Sequence, residues 1–178
     1  MRTILVALFM ATSLSCASQP STSTSYFLFV KDDGRTWCGY SDMSDFSSAT
    51  QGLAPTESAR VTYASKELVE VTYQATPESG DWIVVDRYTP SKTQTLLRRA
   101  TLLSQRRLEV IQETTIVGST VAQFRIVSLS TLDGEQTTAS DLDLPEVTVR
   151  AKLPSFPFMD LVKEMQDQSI TQICRRLL

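Results

Sequence analysis

The stretch that decides the fold is residues 59–75, which read ARVTYASKELVEVTYQA. Apolar and polar side chains alternate on both sides of the dipeptide Ser65-Lys66, which has the composition of a turn. Because the side chains of a strand point alternately to its two faces, this pattern indicates two antiparallel strands with one face in solvent. The stretch therefore predicts a β-hairpin over 59–64 and 67–75.

Further hairpin signals extend this pattern to most of the chain. Stretches rich in apolar and β-branched residues recur, separated by short breaks with turn residues, near 81–88, 94–103, 106–116 and 120–129. Upstream, Asp33-Gly34 predicts a tight turn between strands at 26–31 and 35–40. Because links this short join neighbouring antiparallel strands, we predict an up-and-down antiparallel β-meander of about 6–8 strands.

Two helices accompany the predicted sheet. A short helix is predicted near 44–51, where Ser44 or Ser41 suits the N-cap and Gly52 the C-terminal end. A second helix, of about 20 residues from Pro157, is predicted because apolar side chains recur at helical spacing, at Phe158, Leu161, Val162, Met165, Ile173 and Leu177. Such a stripe needs an apolar surface, so we expect this long C-terminal helix to pack on the sheet.

Apolar residues occupy both faces of the predicted strands, for example at Ile83 and Val85 on one face and at Val84 and Leu97 on the other. One helix covers only one face of a flat sheet. We therefore predict the α+β class, with a strongly curved or barrel-like sheet. A further edge strand is predicted near 147–151.

Residues 1–17 are predicted to be a signal peptide. A positive Arg2, an apolar segment and the small residues Ser15-Cys16-Ala17 follow one another there. The Ser/Thr-rich residues 18–25 are predicted to be a flexible leader, and 26–178 a single domain. We expect a periplasmic or secreted protein cleaved after Ala17. The alternative is a lipoprotein anchored at Cys16, and only in that case do we expect contact with a membrane.

The composition excludes several kinds of chemistry. The chain has 17 Lys and Arg against 20 Asp and Glu, a formal net charge of −3, so no overall basic field attracts nucleic acid. It contains no His, which excludes Ser-His-Asp and Cys-His nucleophile systems and His-containing metal sites. No catalytic constellation, metal site or cofactor is predicted. Catalysis by a pair of carboxylates is the enzyme chemistry left open.

Cys38 and Cys174 are the cysteines that remain after cleavage of the predicted signal peptide. Two lone cysteines in an exported chain commonly pair, because the compartment is oxidising. The sequence has no Cys-x-x-Cys motif that would support a redox site. We therefore predict a Cys38–Cys174 disulfide that closes most of the mature chain into one loop.

A candidate binding site follows from the register that the turns predict. The turn near residue 90 places Trp82 beside Arg99, and a later turn places Gln112 opposite Arg125. Polar side chains then gather at one end of one face, where they can line the mouth of a ligand cavity. The residues predicted to bind a ligand are Trp82, Asp86, Arg99, Gln112 and Arg125. The alternative is a solvated sheet surface.

Four arginines bracket one predicted hairpin and form a local basic patch: Arg98, Arg99, Arg106 and Arg107. Guanidinium groups bind phosphate, so phosphate or lipid head groups are candidate ligands of this patch. The alternative is neutralisation by neighbouring acids such as Glu109 and Glu113.

The order of the predicted elements is similar to that of two families. Strand, short helix, meander and long C-terminal helix resemble the helix-grip proteins of the START and Bet v 1 type. Eight strands with a C-terminal helix and a disulfide to the tail look like a lipocalin. Both resemblances imply an apolar ligand but no particular site residue. The lipocalin Gly-x-Trp motif is absent, because Gly34 and Trp37 are one residue too far apart.

The sequence thus favours an exported, disulfide-closed domain that binds a small apolar ligand or a protein partner and does not catalyse a reaction. Two alternatives stay open: a carboxylate-based hydrolase of the cell envelope, and a structural or envelope-assembly protein that uses the second sheet face. We expect an enclosed apolar cavity for the first function, two acids facing each other across a cleft for the second, and a large apolar patch for the third.

Overall fold

A single antiparallel sheet dominates the fold. In the computed structural model, which describes residues 23–77, 79–104, 107–131 and 152–177, the sheet has nine strands. In chain order these are β1 (Ser23–Val30), β2 (Thr36–Tyr40), β3 (Glu57–Ala64), β4 (Glu67–Ala75), β5 (Trp82–Pro90), β6 (Thr95–Leu103), β7 (Leu108–Val117), β8 (Thr120–Thr131) and β9 (Gln172–Arg176). Their order across the sheet is β8-β7-β6-β5-β4-β3-β1-β2-β9.

The predicted antiparallel meander is confirmed from β3 to β8, where each strand pairs with the next in the chain. The hairpin between β3 and β4 turns at Ser65 and Lys66, whose φ angles are 50° and 71°. Two successive positive φ angles are the geometry of a type I′ turn, whose twist matches that of the flanking strands. β1 and β2 form the hairpin predicted around Asp33-Gly34, and β1 also pairs with β3. β1 begins at Ser23, within the predicted leader.

The prediction of a long C-terminal helix is wrong. Helix α2 covers only Met159–Gln168 and follows a single 3₁₀ turn at Leu153–Ser155. Ser169 ends the helix in the left-handed conformation, with a φ of 55°. Three of the four residues at 170–173 are β-branched and favour extended backbone. The chain then forms β9, which pairs with β2 at the edge of the sheet.

The predicted fold class is also wrong. The described part of the chain is mostly antiparallel strand, with two short helices, α2 and α1 (Met43–Thr50). The sheet is open, with β8 and β9 at its edges, and is not closed into a barrel. Closure is not needed, because α1 covers one part of the second face and another part stays half exposed. The resemblances to helix-grip proteins and lipocalins lose their basis, and the edge strand predicted at 147–151 lies outside the described residues.

The core lies between α2 and one face of the sheet, which we call the front face. Buried side chains from five strands line this face, namely Leu28, Val61, Val71, Tyr88 and Leu97. Helix α2 adds three buried side chains to the same cluster, namely Leu161, Val162 and Met165. Because each such side chain contributes about 1.5–3 kcal/mol when buried, a helix of this short length is enough to hold the front face.

Gly39 lets α2 approach the sheet closely. A Cβ atom at this position would lie 2.9 Å from the sulfur of Met165 and 3.3 Å from Cδ2 of Leu28. The first distance is shorter than van der Waals contact, so a side chain at position 39 would push the helix away from β2. The missing side chain is therefore part of the packing between helix and sheet.

The opposite face, which we call the back face, is covered at one end by α1. Asp42 caps this helix, and not Ser44 or Ser41 as predicted, because the Asp42 carboxylate accepts hydrogen bonds from the backbone N–H groups of Ser44 and Asp45 at 2.7 and 3.2 Å. Phe46 of the helix then packs on the sheet, with its ring centroid 6.0 Å from that of Phe29. The cap thus starts the helix where its aromatic side chain reaches β1 and β2.

The predicted disulfide is confirmed. Cys38 and Cys174 lie directly opposite each other on β2 and β9 and are bonded, with their Cα atoms 4.1 Å apart. Cys38 is fully buried in a cluster with Phe46 of α1, whereas Cys174 is exposed. The bond therefore ties an exposed edge strand to a buried one.

Candidate functional site

Only part of the predicted ligand site comes together. Asp86, Arg99 and Gln112 occupy directly opposite positions on β5, β6 and β7, on the front face. Trp82 lies opposite Leu103 and not beside Arg99, because the turn after β5 is centred two residues later than predicted. An even displacement of this kind moves a side chain along the strand but keeps it on its predicted face.

Arg125 lies on the back face, away from the other predicted residues. It is opposite Glu113 and not opposite Gln112 as predicted. An extra residue in β8, Ala122, lies between the pairs formed with β7 and shifts the register by one position. A shift of one residue moves a side chain to the other face of the sheet, so the predicted site loses Arg125.

Asp86 and Arg99 form a buried ion pair on the front face. The Nε and Nη2 atoms of Arg99 donate to the two carboxylate oxygens of Asp86, each at 2.7 Å. The Asp86 side chain is 1% exposed and that of Arg99 is 11% exposed. Burial lowers the pKa of Arg99, but the hydrogen bonds and charge of Asp86 raise it to a net value above its ordinary one. The guanidinium therefore stays charged and is directed at its carboxylate, as in a structural ion pair.

Aromatic rings hold the segment before α2 on the front face. The ring centroid of Phe156 lies 5.1 Å from that of Tyr73 and 5.5 Å from that of Tyr88. Phe158 lies 4.9 Å from Phe156 and 4.9 Å from Trp37. Ring centroids at these separations are typical of aromatic side chains packed in a hydrophobic core. The front face of β4 and β5 is therefore occupied by the chain itself.

Three of the clefts between the described residues have linings that include no residue of the predicted site. The first, of about 620 Å³, is lined by residues that include Tyr26, Tyr63, Lys66 and Gln166. The second, of about 530 Å³, is lined by residues that include Arg35, Trp37, Glu57 and Arg176. The third, of about 470 Å³, is lined by residues that include Phe29, Asp32, Asp33 and Tyr40. These linings mix charged and apolar side chains, unlike the mostly apolar lining typical of a pocket for an apolar ligand.

The third cleft contains two adjacent acids, Asp32 and Asp33, but Asp33 has a structural role. Its carboxylate accepts hydrogen bonds from the hydroxyl of Thr36 at 2.6 Å and from the backbone N–H groups of Arg35 and Thr36 at 2.9 and 2.7 Å. The side-chain hydrogen bond, followed by the two backbone bonds, lowers the pKa of Asp33 from 3.8 to about 2. A carboxyl group this acidic is a poor general acid near neutral pH.

The back face carries four arginines on one line across the sheet, which we call the arginine row: Arg60, Arg87, Arg98 and Arg125. Thr72 lies between the first two in the register. The middle two are directly opposite each other on β5 and β6. Glu113 lies between the last two. The register of six consecutive strands thus aligns residues that are far apart in the chain.

Two glutamates neutralise part of the arginine row. Glu70 lies 2.6 Å from Arg60 and 3.6 Å from Arg87. Glu113 pairs with the fourth arginine, on β8. Arg98 is exposed and makes no ion pair with any other described residue. With four arginines against two glutamates, the row is a local surplus of positive charge in a chain whose net charge is −3. Like charges in directly opposite positions, such as Arg87 and Arg98, destabilise a sheet.

An apolar patch borders the arginine row on the back face. Its half-buried side chains lie on β5, β6 and β7, and they are Ile83, Val85, Ala100, Leu102 and Ile111. On the other side of the row, Leu96 is 42% exposed. Among the described residues, the helix that packs on the back face is α1, and it covers β1 and β2, away from the apolar patch on β5–β7. The back face over β5–β7 therefore combines exposed positive charge with apolar surface.

Sequence reasoning found only a fragment of this surface. The predicted basic patch included Arg98, but Arg99 of the same patch points to the front face, and Arg106 lies outside the described residues. Arg60 and Arg87 were missed because they lie on other strands. Their one signal in the sequence is that each occupies a polar position in a strand where apolar and polar residues alternate. This signal places the arginines on one line only after the register of every intervening strand pair is known.

No known protein family, curated protein or solved structure matches the chain. Within the described residues, no group of three or more potential ligands is arranged to hold a metal ion. In the same part of the chain, no helix combines the length and the apolar character needed to cross a bilayer.

Proposed function

We propose that this chain is an exported, disulfide-closed binding domain whose ligand is an amphiphile with an anionic head. The observation that supports the proposal is the back face, where the arginine row borders the apolar patch. An anionic head pairs with guanidinium groups, and an apolar tail covers aliphatic side chains. One amphiphilic ligand therefore satisfies both parts of this surface.

Export is proposed from the signal-peptide pattern of residues 1–17 and is supported by the disulfide, which is typical of proteins outside the cytoplasm. We propose cleavage after Ala17, so mass spectrometry of the exported protein is expected to show Ser18 as its first residue. A diacylated Cys16 at the N-terminus would contradict this and make the protein a lipoprotein.

Binding is proposed over hydrolysis because the described clefts give catalysis little support. Asp33, one of the two acids in the third cleft, is engaged by the turn between β1 and β2. The first and second clefts are each lined by one acid, Asp167 and Glu57 respectively. A carboxylate-based glycoside hydrolase needs two acids facing each other across the substrate.

Titration of the isotope-labelled exported protein with dodecyl phosphate tests the proposal by nuclear magnetic resonance. We expect the amide signals of β5, β6 and β7 to shift, because these strands carry the apolar patch and the middle of the arginine row. Dodecyl maltoside, which has the same tail and an uncharged head, is the control and is expected to bind more weakly. Signal changes confined to the three clefts, or equal binding of the two detergents, would refute the proposal.

A charge-neutralising variant locates the head group. Arg98→Gln is expected to weaken the binding of dodecyl phosphate about fivefold, because an exposed ionic contact contributes about 1 kcal/mol. The matched control is Arg35→Gln, which removes the same charge from an exposed residue beside the β1–β2 turn. If both variants weaken binding equally, the head group does not sit on the arginine row.

A further inference from the structure

We propose that the back face docks on the surface of a bilayer that contains anionic phospholipids. The inference rests on the proposed function, because it identifies the amphiphile as an anionic phospholipid and places that lipid in a bilayer. The arginine row contacts the phosphates of the head groups, and the apolar patch faces the boundary with the acyl chains. This contact requires no lipid anchor at Cys16, unlike the membrane contact expected from the sequence.

The length of the arginine row suits a surface better than a single small anion. Its members lie on β3, β5, β6 and β8, which are spread over six neighbouring strands. With strands about 4.8 Å apart, the row extends for about 24 Å across the sheet. A single phosphate contacts only one or two of these guanidinium groups, whereas a layer of head groups meets all four.

A bound phosphate is expected to stabilise the centre of the row most, because two arginines lie directly opposite each other there. Arg87 and Arg98 are directly opposite each other. The ion pair of Arg87 with Glu70 is long, with 3.6 Å between Nε and Oε2, and Glu70 also pairs with Arg60. Two like charges in opposite positions repel each other in the isolated sheet. A phosphate that accepts hydrogen bonds from both guanidinium groups replaces this repulsion with two charge-assisted contacts.

Apolar side chains on both sides of the row favour a bilayer over a water-soluble polyanion. Leu96 lies on one side, and Val85 and Ile111 belong to the patch on the other. The described back-face residues of β4–β7 include no aromatic side chain on which a nucleic-acid base could stack. Apolar side chains beside basic ones are the composition of surfaces that lie in the membrane interface.

Charge outside the arginine row orients the docked protein. The row carries four arginines against Glu70 and Glu113. The other described residues include ten Lys and Arg against twelve Asp and Glu, so this part of the chain has a small negative charge that an anionic bilayer repels, whereas the row is attracted. Docking by the back face turns α2 on the front face away from the membrane.

Co-sedimentation with lipid vesicles tests the inference on the exported protein with its disulfide intact. We expect binding to vesicles of phosphatidylcholine mixed with phosphatidylglycerol and no binding to vesicles of phosphatidylcholine alone. Because the contact is ionic, salt at about 1 M, where the screening length is about 3 Å, is expected to release the protein. Soluble polyphosphate is expected to bind much more weakly than the anionic vesicles, because it has no apolar part.

Three variants test the assignment residue by residue. Arg98→Gln is expected to weaken binding to the anionic vesicles about fivefold. Glu113→Gln is expected to strengthen binding, because it removes the acid opposite Arg98. Leu96→Gln is expected to weaken binding without changing the charge. Arg35→Gln is the control and is expected to leave binding within twofold, while circular dichroism checks that every variant keeps its sheet.

The outcomes separate this inference from the proposed function. If dodecyl phosphate binds the back face but anionic vesicles do not bind, the docking inference is overturned and the proposed function stands. If neither binds, both are overturned. Equal loss of vesicle binding in Arg98→Gln and Arg35→Gln, weaker binding by Glu113→Gln, or polyphosphate binding as tight as that of vesicles, each overturns the docking inference.

Discussion

Replacing Asp86 with leucine removes the carboxylate that accepts hydrogen bonds from both Nε and Nη2 of Arg99. The Arg99 side chain is 11% exposed, so water can replace only a small part of the lost interaction. Loss of one member of a buried ion pair costs about 3–5 kcal/mol, and we expect this decrease in the free energy of unfolding. For a domain of this size, the decrease corresponds to a fall in Tm of about 6–20 °C.

A double-mutant cycle shows whether the effect comes from the pair. Arg99→Met leaves Asp86 without its bidentate partner and is expected to cost about 3–5 kcal/mol as well. The double variant Asp86→Leu/Arg99→Met buries no charge and is expected to be within about 1 kcal/mol of the parent protein, or more stable. The effects of the two single substitutions are thus expected to be strongly non-additive.

Urea unfolding of the oxidised protein measures these differences, with the m-value checked for constancy. The matched control is Arg125→Met, which breaks an ion pair on the back face in which the arginine side chain is 65% exposed. It is expected to cost less than about 1 kcal/mol. If Asp86→Leu costs no more than Arg125→Met, or if the double variant loses the sum of the two single losses, the reasoning about burial is wrong.

Three further predictions concern stability. Met165→Ala is expected to lower the free energy of unfolding in urea by about 2–5 kcal/mol, because the Met165 side chain is 1% exposed. Lys163→Ala, at an exposed position of the same helix, is expected to change it little, and equal effects of the two substitutions would show that α2 does not pack on the sheet. Cys174→Ser is expected to cost about 2–5 kcal/mol, measured by thermal unfolding without reductant, and the difference from the parent protein should vanish once both are reduced. Asp33 has a folded-state pKa of about 2, below its ordinary 3.8, so its contribution to stability is complete above pH 3.8 and is lost as the pH falls through about 2. The carboxyl carbon shift of Asp33 is expected to titrate near 2, and a midpoint near 3.8 would show that the turn does not use it.

The meander could be predicted because its information is local. Alternation of apolar and polar residues has a period of two only in strands, and a turn at Ser65-Lys66 needs no distant partner. The prediction for 67–75 therefore agrees with β4 at both ends. The same reasoning gave the short helix, because candidate capping serines and Gly52 lie beside it in the chain, although the residue that caps it is Asp42.

The C-terminal strand could not be predicted from local pattern. Ile173 and Leu177 continue the helical spacing of Met165, so the sequence alone favours a helix to the end of the stripe. The competing structure depends on β2, which lies more than a hundred residues upstream and supplies both a free edge and Cys38. Tertiary pairing of this kind overrides helical spacing.

The surface that carries the proposed function was hidden for a related reason. Four arginines form a row only if five successive registers are right, and an extra residue at Ala122 moves Arg125 from one face to the other. The sequence showed adjacent Arg98 and Arg99 as one patch, although neighbouring residues of a strand point to opposite faces. The structure instead joins Arg98 to arginines on other strands.

The position of β9 determines the order in which the sheet can be completed. Each hairpin from β3 to β8 can form as soon as its two strands are available, because their contacts are close in sequence. β2 keeps a bare edge until β9 arrives, and the two cysteines that join them are 136 residues apart. Such a bare edge can pair with a neighbouring chain during this interval. Once docked, β9 forms the edge itself, but its exposed Arg175 and Arg176 discourage pairing with another chain. The folding polypeptide is therefore most exposed to aggregation just before its last strand docks, and oxidation of Cys38 and Cys174 marks the end of that interval.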